Sequence, residues 1–157
     1  MTNSKGTVIL GLHTHGDPEL FSRPIARAGY TPVACFSVDG ILSEASKGFY
    51  ALIMDLNFKH PNQVYLDPSI RVVDFLKSRN EKIHSVFMGL SGNEKVIEAA
   101  HALDIPGYKH RVEYADLCKF VTFFIKREEQ FSPTKFPEDP ASLRQYLREI
   151  SGLPKNL

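Results

Sequence analysis

A chain of 157 residues, 43% apolar and 24% charged, holds one domain's worth of hydrophobic side chains under an ordinary surface. Its formal net charge is +1, and Lys and Arg are scattered among Asp and Glu without forming a basic stripe, which argues against a nucleic-acid binder. No apolar run approaches the roughly 20 residues of a membrane span, and the opening Met1-Thr2-Asn3-Ser4-Lys5-Gly6 lacks the apolar core and cleavage site of a leader, so a cytoplasmic protein is expected.

In chain order, Thr7–Leu12 reads as a buried strand because it is short, apolar and β-branched. Helical spacing follows over Asp17–Ala28, with Asp17 as N-cap, Pro18 at the first helical position and Gly29 as terminator. Pro24 is expected to kink or split this helix. Thr31–Phe36 is a second strand, Val38-Asp39-Gly40 a turn, Ile41–Lys47 a short helix, and Tyr50–Asp55 a third strand ending in a carboxylate. Asn57–Pro68 is a loop; Ser69–Ser78 is a helix with Val72, Val73 and Leu76 inward. Ile83–Leu90 is a fourth strand, broken by Gly92, and Asn93 caps a helix running to Leu103. Ile105–Lys109 is a fifth strand, and the Phe-rich Tyr114–Lys126 the last core helix. Cys35 and Cys118 lie in apolar stretches and read as buried, reduced thiols.

Past Arg127, Ser132-Pro133, Phe136-Pro137 and Asp139-Pro140 mark a linker. In the amphipathic Ala141–Ile150 after it, Leu143, Leu147 and Ile150 share a face. A helix this short is marginal alone and must dock on something. The expected division is therefore a domain over residues 1–128 and a linker with a short helix over 129–157.

Strands alternating with helices through short connections build a parallel sheet with right-handed crossovers. In such a sheet the functional crevice lies beyond the carboxyl ends of the strands. The residues to inspect are then His13-Thr14-His15, Asp55, Ser91-Gly92 and Lys109-His110. Asp55, Ser91 and Lys109 bring together a carboxylate, a hydroxyl and an ammonium. Phosphorylating the carboxylate would add about −1.5 to −2 charge, and the other two groups could ligate the new oxygens.

With these residues in hand, the chain resembles the receiver domain of bacterial response regulators over roughly residues 6–127. The matching pieces are Ala28-Gly29-Tyr30, Val38-Asp39-Gly40 with Glu44-Ala45, Leu52-Ile53-Met54-Asp55, the run Val86–Gly92, and Gly107-Tyr108-Lys109. The resemblance implies a three-layer flavodoxin-like α/β fold with a five-stranded parallel sheet in the order 2-1-3-4-5, here with a C-terminal helical extension. It also implies that Asp55 stands as phospho-acceptor, Ser91 as switch hydroxyl and Lys109 as the family's lysine.

Departures cluster on the same face. The family's acidic pair, which holds Mg²⁺, falls on His13 and Thr14, and a hard cation prefers oxygen ligands. Without it, phosphoryl transfer to Asp55 loses its main charge neutraliser. His110 replaces the usual proline after the lysine. Pro106 holds the place of the switch aromatic, leaving Tyr108 as candidate for that role. The second helix is short and the loop after Asp55 long.

The resulting expectation is a non-enzymatic, stand-alone pseudo-receiver, with Mg²⁺ binding weak or lost and no other cofactor. It would signal by protein contact with a sensor kinase or a downstream target. Homodimerisation would use the face of the fourth helix, fifth strand and fifth helix, or the C-terminal helix. An ordinary phosphorylatable regulator is the alternative. A metal-dependent hydrolase built on His13 and His15, with His60, His84, His101 or His110 as further ligands, is less favoured, because that chemistry sits on barrels of ~200 residues or more. A small-molecule-binding flavodoxin-like protein is also less favoured: Gly16 stands alone, without a Gly-rich phosphate loop. His13 beside Asp55 could instead form an ion pair and a pH-sensitive pocket.

Overall fold

Runs of Val, Ile, Leu and Met with no polar alternation are stable as strands only when both sheet faces are covered. The chain forms such strands in a computed structural model that describes residues 4–12, 17–58 and 64–109. The elements are β1 (Thr7–Gly11), α1 (Asp17–Arg27), β2 (Thr31–Ala34), α2 (Val38–Ser46), β3 (Ala51–Asp55), α3 (Asp67–Ser78), α4 (Ile83–Val86), β4 (Phe87–Ser91), α5 (Glu94–Ala102) and β5 (Gly107–Lys109). The sheet order is β2-β1-β3-β4-β5 and every pairing is parallel, as the sequence leads one to expect.

Both faces are covered. Ile9, Leu52, Met54 and Phe87 share one cluster with Ile41 and Ala45 of α2, Val72 and Leu76 of α3, and Ile97 and Ala100 of α5. The alternate strand residues Val8, Leu10, Ile53 and Met88 are buried outside that cluster, as are Phe21 and Ile25 of α1. Each fully buried aliphatic or Phe side chain contributes about 1.5–3 kcal/mol relative to its exposed state, so the central strands are where the fold is held.

Local chemistry fixes the helix ends. The Ser37 hydroxyl accepts from the Gly40 amide at 3.0 Å and caps α2, and the Asn93 side chain accepts from the Lys95 amide at 2.9 Å and caps α5. Gly29, at φ +96, turns the chain out of α1 and into β2.

Four expectations need correction. Val38-Asp39-Gly40 is not a turn before α2 but its first helical turn, because the Ser37 cap makes that turn satisfied. The expected strand Ile83–Leu90 begins only at Phe87; Ile83–Val86 form one helical turn. Ile83 and Val86 are both 7% exposed, and their spacing of three serves a helix as readily as the run reads as a strand. Of the kink or split expected at Pro24, the split does not occur: α1 runs unbroken from Asp17 to Arg27. The helix expected from Ser69 starts two residues earlier, with Pro68 in its first turn.

Cys35, one residue past β2, is buried and free. Burial, followed by the charge of Glu44, pushes its thiol pKa up. Among the described residues no helix is long and apolar enough to cross a membrane. Cys118, the helix expected over Tyr114–Lys126, the boundary at 128/129 and the amphipathic tail lie outside the described residues.

Candidate functional site

Parallel strands deliver all their carboxyl ends to one edge of the sheet. There β3 ends in Asp55, β4 in Ser91 and β5 in Lys109. Asp55 is level with Leu90, Leu90 with Tyr108, and Ser91 with Lys109. Neighbouring strands lie about 4.8 Å apart, so the backbone brings the three expected residues onto adjacent strand ends, the middle one a step beyond the first. On the other side of β3, β1 runs to Gly11 opposite Met54, so the chain leaves β1 beside Asp55. His13, Thr14, His15 and His110 lie outside the described residues.

Asp55 is half-buried. Ser91 is 3% exposed, and its oxygen accepts from the Asn93 amide at 3.1 Å. The hydroxyl is thus tied to the loop that opens α5, while its proton can turn toward another acceptor. The cap on α5 begins two residues after Ser91, so a change at this hydroxyl bears directly on a helix start.

The strand ends carry a packing device the sequence reading missed. Leu56, next to Asp55, donates its amide to the Leu90 carbonyl at 2.8 Å. Its own carbonyl accepts from the fully buried Ser69 hydroxyl at 2.6 Å, which ties α3 to the chain leaving β3. Its side chain lies over Gly89 and Gly107. A Cβ placed on Gly89 would come within 2.3 Å of Leu56 Cδ2 and 2.7 Å of the Pro106 carbonyl, and one on Gly107 within 3.0 Å of Leu56 Cδ1. Glycine inside a buried strand is the signal that could have revealed this close approach.

Among the described residues Asp55 is the one carboxylate that ends a strand, and no group of three or more His, Cys, Asp or Glu comes together. Asp39, at the start of α2, is instead paired with Arg71 of α3 at 2.9 Å. Mg²⁺ favours near-octahedral oxygen coordination; the positions expected to complete such a set beside Asp55, His13 and Thr14, lie outside the described residues. Of the histidines considered for a hydrolase, His84 pairs with Asp104 at 3.2 Å and His101 contacts the Gly107 carbonyl at 2.9 Å. His84 precedes β4, at the sheet edge opposite Asp55.

That opposite edge holds a cleft of about 490 Å³ lined by Phe49, Tyr50, Asn80, Glu81, Lys82, Ser85 and Val86. Beside it, Tyr30 and Tyr50 stack with ring centroids 4.5 Å apart, and the Ser4–Gly6 segment is bound across the strand starts. Lys5 donates to the Gly29 carbonyl at 2.9 Å and Thr31 to the Gly6 carbonyl at 2.8 Å.

The fold is that of receiver domains. A response regulator receiver protein from Pseudoalteromonas atlantica superposes with a TM-score of 0.59 at 11% identity, covering 77% of this chain and 98% of that one. The apo receiver domain of nitrogen regulatory protein C gives 0.58 at 16% identity, covering 82% and 99%. A de novo designed Rossmann 2x3 protein gives 0.57 at 14% identity, covering 81% and 91%. A designed protein at the same distance shows that the likeness is one of architecture, and that function must be argued from the strand ends. No family model matches the chain, and no curated protein matches it.

Proposed function

We propose that the protein is an atypical receiver that acts in signal transduction through protein–protein contact, with phosphorylation of Asp55 weak or absent. The observation that carries this reading is the placement of Asp55, Ser91 and Lys109 on the carboxyl ends of three neighbouring strands of a receiver fold. In this reading Asp55 is the residual acceptor, Ser91 the hydroxyl and Lys109 the cation that would meet a phosphoryl group. Tyr108 is the aromatic that would report it. His13 and Thr14 occupy the place of the magnesium carboxylates, so Mg²⁺ is held weakly at best and phosphoryl transfer lacks its neutralising charge. The chain then works as a binding protein, not an enzyme, and its partner is a sensor kinase or a downstream protein. A second copy would pair through the face of α5, β5 and the helix expected over Tyr114–Lys126, or through the amphipathic tail.

The test is incubation with Mg²⁺ and acetyl phosphate followed by intact-mass measurement. The reading predicts at most a trace of a species heavier by one phosphoryl group. A stoichiometric adduct that disappears in Asp55→Asn would restore the alternative, an ordinary phosphorylatable regulator. Zinc retained by the purified protein would favour the hydrolase instead.

A further inference from the structure

The contacts around Leu56 connect Asp55 to β4, β5 and α5, by main-chain hydrogen bonding to β4 and by side-chain packing beyond it. Leu56 is the residue covalently next to Asp55. Its main chain is held on two sides, by the Leu90 carbonyl at 2.8 Å and the buried Ser69 hydroxyl at 2.6 Å. Its side chain, fully buried, reaches across β4 to β5, with Cδ2 against Gly89 and Cδ1 against Gly107. Ala100 of α5 borders the same point, its Cβ 3.4 Å from the position a Cβ on Gly107 would take. The branched end of one leucine therefore fills the space between β3, two Cβ-free strand positions and α5.

We infer that Leu56 is a positioning residue through which the state of Asp55 is felt at β5 and α5; this rests on Asp55 being the signalling carboxylate. A close-packed interior has no slack to absorb a displaced isobutyl group. With its main chain clamped, Leu56 answers a change at Asp55 by reorienting its side chain, and the glycines leave that side chain directly against the β4 and β5 backbones. The route is apolar and separate from the Ser91–Asn93 contact, which reaches only the start of α5.

The experiment compares backbone amide spectra of the full chain with and without Asp55→Asn, which removes charge at nearly constant shape. In the wild-type background this substitution is expected to shift the Gly107 and Ala100 amides as well as Leu90. In a Leu56→Val background, which lacks both Cδ carbons, the Gly107 and Ala100 responses are expected to fall to background while the Leu90 response persists. Should the valine variant not fold, Leu56→Met keeps the bulk without the branch that touches both glycines, and the same selective loss is expected. An absent Gly107 and Ala100 response in wild type, or an undiminished one in the Leu56 variant, overturns the inference. Because the stimulus is a charge removal, the outcome does not depend on phosphoryl transfer, and the phosphodonor experiment judges the proposed function separately.

Discussion

The two edges of this sheet are finished differently. At the amino edge, the Ser4–Gly6 segment, the Tyr30–Tyr50 stack and the Thr31 hydroxyl, which donates to Ser4 Oγ at 2.7 Å, bind strand starts to one another. At the carboxyl edge, strands end in the polar residues Asp55, Ser91 and Lys109, where a parallel sheet offers its crevice. The contrast teaches that the contacts tying strand starts together and the polar residues on which the proposed function rests stand at opposite ends of the same strands. Leu56 is where the carboxyl edge is nonetheless fastened to the core.

That fastening gives the largest expected effect. Leu56→Ala should lower stability by about 2–5 kcal/mol in denaturant unfolding, since it empties a fully buried site between strands. A change under half of that would mean the carboxyl edge is looser than its packing implies. Gly89→Ala should cost about 1–3 kcal/mol or more by overpacking, because its new Cβ meets both the Leu56 side chain and the Pro106 backbone. A neutral result would break the claim that Leu56 is wedged.

The amino edge should respond in stability alone. Tyr50→Leu removes the stack with Tyr30 and should cost about 0.5–1.5 kcal/mol, while the amide of Asp55 stays in place in the spectrum. Movement of that amide would show that the two edges are not independent. The smallest effect concerns Cys35. Its raised thiol pKa predicts slow alkylation of the native protein at neutral pH, checked by timed iodoacetamide labelling against the unfolded chain. The folded state holds the thiol proton more tightly than the unfolded state does. This contribution to stability is therefore complete below the ordinary thiol range and is lost as pH rises through it toward the folded value. Stability that rises over that window would contradict the assignment.

The order of elements was legible because β-branched apolar runs and caps such as Asn93 act locally. The candidate strand ends were legible for the same reason: once a run such as Ala51–Met54 is a buried strand, the next polar residue, Asp55, must stand at its rim. The start of β4 was not, because Ile83 and Val86 satisfy two periodicities and only their packing against neighbouring elements decides between them. Leu56 was not, because its role depends on the register that places Gly89 level with Gly107. Ser69 hid similarly: a serine after Asp67-Pro68 reads as helix-start chemistry, yet its hydroxyl serves the carbonyl of Leu56.

The central claim is that the strand-end chemistry is altered because His13 and Thr14 stand where carboxylates are needed, while Asp55, Ser91 and Lys109 remain usable. Restoring the acidic pair with His13→Asp and Thr14→Asp, then following the intact mass over time with Mg²⁺ and acetyl phosphate, tests it most directly. The account predicts that the wild-type chain stays essentially unmodified, and that the restored variant gains one phosphoryl group that Asp55→Asn abolishes. Full modification of the wild type, or a folded restored variant that remains inert, would contradict it.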